Sequence, residues 1–150
     1  MTIGRLPSGL RVGVQLVRQG KAKYDVSITN PKELAKMLGY LKKLDREHFL
    51  TVHLDTRNMV LGIETVSIGS LNYSLVHPRE VFKAAILMNS ASIILVHNHP
   101  SGALTPSEED ISLTKRMAEA GRLIGIEVLD HVIVTKDGHL SLKEKRLMSE

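Results

Sequence analysis

The sequence contains no cysteine and no tryptophan, and aromatic residues make up only 3% of its 150 residues. Without cysteine, neither a disulfide framework nor a thiolate metal site is available, so any metal must be held by histidine and carboxylate. Basic residues are spread along the chain, so the formal charge of +4 gives only a weak nucleic-acid signal. The apolar runs are far too short to span a membrane, and no signal-like segment opens the chain. These absences favour a cytoplasmic protein that does not enter a membrane.

The residues that are present predict a globular domain with a core of its own, because 43% of them are hydrophobic and 24% are charged. Neither an internal repeat nor a long linker divides the chain. We predict an N-terminal β extension over residues 1–29, as a hairpin or an edge segment, followed by the main domain over residues 30–150.

Three segments combine helical spacing with helix start signals. The first begins at Asn30, which offers a cap in front of a proline, and ends near Asp45. The second opens at His77, and the third runs from Ser107 to about Gly125. The side chains predicted to face the core are Val81, Phe82, Ala85 and Ile86 in the second helix and Ile111, Met117, Ala118 and Ile124 in the third.

Strand patterns alternate with these helices, so the sequence predicts an α/β (α+β) layered domain. Two runs rich in branched residues, EHFLTVHLD and MVLGIETVSIG, flank a Thr-Arg-Asn turn and predict a pair of strands. The run SIILV is apolar without alternation, which is typical of a strand buried on both faces. VLDHVIV adds another strand, and periodicity leaves the strand order open.

The stretch HNHPSGALTPSEED carries the pattern of a metal site where the apolar strand ends. In an extended backbone, His97 and His99 point the same way with Cα atoms roughly 6–7 Å apart, so both imidazoles can converge on one ion. Asp110 lies in the first turn of the third helix, where free N–H groups and the helix dipole favour a carboxylate. Two imidazoles and one carboxylate leave a fourth position open on a zinc ion, as in a catalytic site. Water in that position would have its pKa lowered towards about 7.

Each of these residues also has a purely structural interpretation. An isolated H-x-H pair is more often structural than functional, and Ser107 with Asp110 approximates a capping box that merely starts a helix. Only the conjunction of a buried strand, two histidines on one side and an acid at a helix start favours a metal. Other signatures are absent from the sequence, namely H-E-x-x-H, H-x-E with P-C-x-x-C, and G-x-S-x-G.

HNHPSGALTPSEED resembles the JAMM signature, H-x-H-P followed by six residues and S-x-x-D, in the form of bacterial RadC-like proteins with Asn98 between the histidines. REHFLTVHLDTRN, VHPREVFKAAI and VLDHVIV are similar to that family too, so the resemblance covers roughly Pro31 to Leu142. It implies a single MPN/JAMM-type domain, in which helices flank a mixed β-sheet with cytidine-deaminase-like layering. It also implies a zinc metallopeptidase whose one Zn²⁺ is held by His97, His99 and Asp110.

Glu47 enters the site only through this resemblance, since an acid at the start of a strand is usually just solvated. In JAMM peptidases the matching glutamate would hydrogen-bond the zinc-bound water, take its proton during attack and deliver it to the leaving amine. The resemblance gives Ser107 a second role, in which its hydroxyl steadies that water or the oxyanion. His131 could support the site from behind, but we expect a structural pair with the preceding Asp130.

The leading hypothesis is therefore hydrolysis of an amide bond in a peptide or protein substrate, and two other functions stay open. A nucleic-acid-associated protein is supported by the positive charge and by the repair name that RadC-like proteins carry. The helical DNA-binding region of longer members is not predicted in the first thirty residues. A non-catalytic MPN scaffold is disfavoured by the intact ligand positions. The sequence does not determine the substrate or the oligomeric state.

Overall fold

The computed structural model describes residues 12–20, 25–69 and 76–148, which form a five-stranded mixed sheet with three α-helices. None of the helices in these ranges is long and apolar enough to cross a lipid bilayer. The strands are β1 (Glu47–Leu54), β2 (Val60–Gly69), β3 (Ser92–Asn98), β4 (Glu127–Thr135) and β5 (Gly138–Ser141). The helices are α1 (Pro31–Met37), α2 (Pro78–Leu87) and α3 (Glu108–Ile124), and a 3-10 helix (Gly39–Lys43) follows α1.

The sheet has the strand order β2-β1-β3-β4-β5. β1 pairs antiparallel with β2 and β3, β3 and β4 are parallel, and β5 returns antiparallel along β4. Parallel neighbours need a crossover connection, which α3 provides between β3 and β4. The start of α3 therefore lies near the C-terminal end of β3, and the candidate ligands lie at this end of the strand.

Hydrophobic clusters cover both faces of the sheet, because successive strand residues point to opposite sides. One cluster joins α1 and the 3-10 helix to Leu50, Val52, Ile94, Val96, Val132 and Val134. The other joins α2 and α3 to Phe49, Ile93, Leu95 and Val128. Every residue of β3 is buried, as its continuous apolar run predicts. The expected α/β class, a mixed sheet flanked by helices, is confirmed.

The helix starts agree with the prediction, whereas two core-facing assignments were wrong. Asn30 accepts a hydrogen bond from the backbone of the first turn of α1, and Ser107 caps α3 in the same way. Ile86 is 55% exposed because the buried face of α2 is centred on Val81 and Ala85. Ile124 is 43% exposed in the last turn of α3.

The N-terminal region is only partly within the described residues. Residues 12–20 contain no helix or strand, and the one β contact in residues 25–29 is a bridge between Ser27 and Met59. The predicted hairpin also falls on residues 1–11 and 21–24, which lie outside the described residues, so the β extension stays a prediction. The short strand β5 was not predicted from the sequence.

Gly121 lets α3 pack closely against the segment that leads into β4. A Cβ atom at this position would lie 2.4 Å from the backbone oxygen of Ile126 and 3.3 Å from Cγ2 of Val128. Replacing a helical glycine with alanine ordinarily stabilises a protein by about 1 kcal/mol. Here we expect Gly121→Ala to lower the free energy of unfolding by about 1–3 kcal/mol, because the backbone must move to admit the methyl group.

Urea denaturation of Gly121→Ala measures this change in stability. Glu119→Ala is the matched control, since Glu119 lies exposed on the same helix and its replacement should alter stability by less than about 0.5 kcal/mol. A Gly121→Ala variant as stable as the control, or more stable than the wild type, would contradict the close packing.

His53 is a fully buried histidine of β1 whose ring nitrogens contact two hydroxyl groups. Its Nε2 lies 2.9 Å from Thr51 Oγ1, and its Nδ1 lies 3.3 Å from Ser90 Oγ. Burial lowers the pKa of His53 from 6.5 to about 4. Between pH 6.5 and about 4, His53 therefore binds a proton in the unfolded chain but not in the folded chain. The folded state loses stability as the pH falls through this range.

The expected loss from His53 is about 3 kcal/mol across this pH window. Unfolding free energies measured by urea denaturation at a series of pH values test it, with His53→Gln as the comparison. The wild-type curve should fall more steeply below pH 6.5 than the curve of the variant, which lacks the titrating ring. Curves of equal slope would show that His53 does not contribute.

Candidate metal centre

The candidate ligands are placed by the end of β3 and the start of α3. His97 and Asn98 are the last two residues of β3, and the backbone N–H of His99 donates to the oxygen of Val134, which extends the pairing with β4 by one residue. α3 then begins with its first turn facing this strand end. Both elements are held by the core, so the ligand positions rest on rigid structure.

The side chains of His97, His99 and Asp110 each bring a potential ligand atom to within 4.8 Å of the others. The Nε2 atoms of the two histidines are 2.8 Å apart. Asp110 spans both rings, with Oδ1 3.4 Å from His97 Nε2 and Oδ2 3.3 Å from His99 Nε2. The side chains of His97 and Asp110 are at most 2% exposed and that of His99 is 10% exposed, so the group is reached from the side of His99.

A tight turn after β3 fixes the ring of His99. The N–H of Gly102 donates to the oxygen of His99, and Gly102 has a φ of +88°, which a residue with a side chain rarely adopts. The ring then donates from Nδ1 to the oxygen of Ala103 over 2.8 Å. This bond occupies Nδ1 and leaves the lone pair of Nε2 directed at His97 and Asp110.

Asp110 combines a helix-capping contact with its place in the site. Its Oδ2 accepts a hydrogen bond from the backbone N–H of Ser107, and Ser107 Oγ accepts the N–H of Asp110 in return, which completes a capping box. Burial opposes ionisation of Asp110, but the hydrogen bonds that its oxygens can accept from the protonated rings of His97 and His99 outweigh burial and hold its pKa well below the usual range. The carboxylate is therefore charged.

This donor set fits a zinc ion. Imidazole nitrogens and carboxylate oxygens converge here, and all of them are electron-pair donors. At separations of 2.8 to 3.4 Å such atoms repel one another unless a cation, either a proton or a metal ion, lies among them. Two histidines and one carboxylate with an open fourth position form a ligand set of catalytic zinc sites.

Glu47 opens β1 beside this group. The antiparallel pairing of β1 with β3 ends at Phe49 and His97, and the same register continued by two residues would place Glu47 opposite His99 on the same face of the sheet. The ring of Phe49 stacks on that of His97 with centroids 6.2 Å apart. The hydrogen bond that a protonated His99 ring can donate to Asp110 is the main cause of a raised pKa of His99. The negative charge of Glu47 adds to it, so the carboxylate of Glu47 lies within electrostatic reach of His99.

Asn98 fixes the backbone on both sides of Glu47. Its Oδ1 accepts the N–H of His48 over 2.6 Å, and its Nδ2 donates to the oxygen of Arg46 over 2.9 Å. Asn98 is 1% exposed, so its own amide group is shielded from water. The residue between the two histidines therefore ties the candidate metal ligands to the segment that carries the candidate acid/base group.

A family model described as RadC-like JAB domain matches residues 28–147 of the chain. The chain belongs to this family. Curated UPF0758 proteins are similar to it. The relative from Caldanaerobacter subterraneus is 49% identical over 142 residues, which are 94% of this chain and 60% of the relative. The relative from Bacillus cereus is 50% identical over 143 residues, 94% and 63% of the two chains, and that from Desulforamulus reducens is 62% identical over 108 residues, 72% and 48%.

The RadC-like JAB family includes metallohydrolases, which agrees with the convergence of His97, His99 and Asp110 at the end of β3. The chain spans about half to three-fifths of the length of the curated relatives that it matches. The printed name of these relatives, UPF0758 protein, states no activity. Family membership therefore supports a hydrolase in general, and the activity of the whole protein is a matter for proposal.

The ring of His131 lies against the candidate ligand His97 in this RadC-like JAB domain. Asp130 contacts His131 only through the backbone, where its Oδ1 accepts the N–H of His131 over 2.7 Å, so the expected pair does not form between the two side chains. His131 Nε2 is 2.7 Å from His97 Nδ1, and its Nδ1 is 2.6 Å from Thr114 Oγ1. Asp130 points to the other face of the sheet, where it accepts a hydrogen bond from the hydroxyl of Ser141. Complete burial, helped by the nearby His97, lowers the pKa of His131 well below its usual value, so the ring is neutral.

The sequence signal that would have identified His131 depends on strand order. His131 pairs with Leu95 across the parallel strands, and Leu95 lies on the same face as His97. A histidine in VLDHVIV therefore meets the HNH strand once the two strands are known to be neighbours. Periodicity alone does not supply that knowledge.

Proposed function

We propose that this RadC-like JAB domain is a zinc-dependent hydrolase that cleaves an amide bond of a peptide or isopeptide, with Glu47 as general acid/base. The observation that carries the proposal is the convergence of His97, His99 and Asp110 at 4.8 Å or less, opposite the start of β1. When bound, zinc would polarise the carbonyl oxygen of the scissile amide and lower the pKa of a water molecule to about 7.

Glu47 has the chemistry and the position to move a proton in this reaction. Its carboxylate would accept a proton from the attacking water and deliver it to the nitrogen of the leaving amine, which leaves as a neutral group. The two hydrogen bonds that Asn98 makes with the backbone of Arg46 and His48 hold Glu47 in place for this proton transfer. A carboxylate positioned in advance avoids the cost of reorganising during the reaction.

Ser107 is the second residue that we propose to act on the substrate. Its oxygen accepts the N–H of Asp110, which leaves its own hydroxyl proton to donate. Ser107 is exposed and directly precedes the turn that carries Asp110. The hydroxyl would stabilise the negative charge that develops on the oxygen of the tetrahedral intermediate.

A screen of peptide and isopeptide libraries tests this function with two forms of one protein. One sample is stripped of metal with a chelator, and the other is stripped and then given one equivalent of zinc. We expect cleavage in the zinc sample only, with release of a free amine. Equal cleavage in the two samples would exclude the proposed function, as would zinc-dependent cleavage of ester or phosphoester compounds without any of amides.

We also propose a cytoplasmic location and a peptide or protein partner, as the sequence predicts. A nucleic-acid partner stays the alternative prediction. Electrostatic binding to DNA weakens steeply with salt, so binding measured at two salt concentrations separates it from a metal-dependent peptidase function.

A further inference from the structure

A series of short contacts, which we call the relay, leads from the backbone oxygen of Asp110 through Thr114 and His131 to Nδ1 of His97. Thr114 Oγ1 lies 2.6 Å from the backbone oxygen of Asp110 and 2.6 Å from Nδ1 of His131. His131 Nε2 in turn lies 2.7 Å from Nδ1 of His97. All three side chains are fully buried, at 0% exposure, so water does not substitute for any of these partners.

The backbone oxygen of Asp110 determines which group donates and which accepts in each hydrogen bond of the relay. A carbonyl oxygen only accepts, so the single hydroxyl proton of Thr114 must point to it. The oxygen of Thr114 then accepts from His131, which places a proton on Nδ1 of that ring. The ring of His131 is completely buried, and burial disfavours its charged form, so Nε2 of His131 carries a lone pair and accepts from Nδ1 of His97.

The reverse direction leaves one contact without a proton. If Thr114 donated to His131, its oxygen would face the oxygen of Asp110 at 2.6 Å with no hydrogen between them. Two acceptors at this distance repel each other inside a buried site. The geometry therefore favours one arrangement of protons over the other.

We propose that Thr114 and His131 are positioning residues that fix the tautomer of His97, so that its Nε2 presents a lone pair to a metal ion. The proposal deepens the proposed function and rests on its metal site. His99 reaches the same state by another route, through its Nδ1 bond to Ala103. Both candidate imidazole ligands are then prepared before any metal arrives.

The relay also links the two elements that supply ligands. Thr114 lies one helical turn after Asp110 on α3, and its hydroxyl bonds to the backbone of that residue. His131 connects this turn to His97 on β3. A partner of this kind typically changes metal affinity by about 10- to 100-fold when it is removed.

The test uses ¹⁵N-labelled, metal-free protein at about pH 8, where ordinary histidines are neutral. Long-range ¹H–¹⁵N correlation spectra report which ring nitrogen carries the proton. We expect protonated Nδ1 and bare Nε2 at both His97 and His131. A proton on Nε2 of His97 in the wild type would overturn the proposal without any variant.

Thr114→Val and Thr114→Ser separate the hydroxyl group from side-chain volume. Thr114→Val removes the acceptor for His131, so we expect both rings to shift their protons to Nε2 and zinc affinity to fall about 10- to 100-fold. Thr114→Ser keeps the hydroxyl and should retain the wild-type tautomers and affinity. Unchanged tautomers in Thr114→Val, or equal zinc affinity in the two variants, would contradict the proposal.

These readouts are independent of catalysis. A wild type that shows the expected tautomers and binds zinc but cleaves no amide would remove the proposed hydrolase function and leave the relay intact. A wild type that cleaves amides with the proton on Nε2 of His97 would support the hydrolase function and overturn the relay.

Discussion

Replacement of Asp110 with alanine should lower the affinity for zinc more than about 100-fold, since removal of a mere supporting group already costs about 10- to 100-fold. Its carboxylate spans both histidines, with contacts of 3.3 and 3.4 Å to their Nε2 atoms. Without it, two neutral imidazoles would hold the ion alone, and the positive charge would lose its only formal counter-charge among the three candidate ligands. Competition with a fluorescent zinc chelator measures the change.

The control for this variant is Glu109→Ala, one residue earlier. Both residues are acids in the first turn of α3, but Glu109 is exposed whereas Asp110 is buried. Since Asp110 also completes the capping box, circular dichroism should establish that α3 is still folded. Equal zinc affinity in the two variants would exclude Asp110 as a ligand.

Replacement of Glu47 with glutamine should slow amide hydrolysis about 100- to 10,000-fold, which is the usual contribution of a general acid/base. Glutamine has nearly the same size, but its amide does not take up and release a proton at neutral pH. Glu47 is not among the residues that converge as ligands, so the zinc content should remain that of the wild type. Steady-state kinetics with a cleaved peptide, together with elemental analysis of the same sample, measure both effects.

Glu109→Gln provides a matched charge change at an exposed acid and should retain the wild-type rate. A Glu47→Gln variant that cleaves the substrate at the wild-type rate would rule out the proposed mechanism. Loss of zinc from this variant would instead make Glu47 a ligand. The variant therefore distinguishes a proton-transfer role from a metal-binding role.

The parts of the site that lie close together in sequence could be predicted from local patterns. The apolar run of β3, the two histidines at its end and the acid at the start of α3 follow from strand alternation and helix-start chemistry. The structure brings His97, His99 and Asp110 together within 4.8 Å. Their role as ligands stays a prediction until metal is measured.

The remaining parts depend on contacts between distant segments. The start of β1, which carries Glu47, lies beside the end of β3 only because these two strands pair antiparallel. His131 reaches His97 only because β4 lies parallel to β3 on the other side. Strand order follows from tertiary packing, which periodicity does not encode. The sequence pattern also predicts a pair between Asp130 and His131, but adjacent strand residues point to opposite faces, so the carboxylate reaches only the backbone N–H of His131.

Family resemblance and physical pattern contributed different knowledge about Asn98. The resemblance identified the residue as the RadC-like variant of the position between the two histidines. The structure adds a physical role, because its amide bonds to the backbone on both sides of Glu47. This role needs a donor and an acceptor on one planar group, which a hydroxyl of serine or threonine does not offer in the same geometry.

The most direct test of a zinc-dependent hydrolase is an activity titration of the metal-free protein. Zinc is added in small portions until it exceeds one equivalent per chain, and the rate of cleavage of a peptide or isopeptide substrate is recorded after each addition. We predict that the rate rises in proportion to zinc and stops rising at one equivalent per chain. Full activity before any zinc is added, or a rate that does not respond to zinc, would contradict the account.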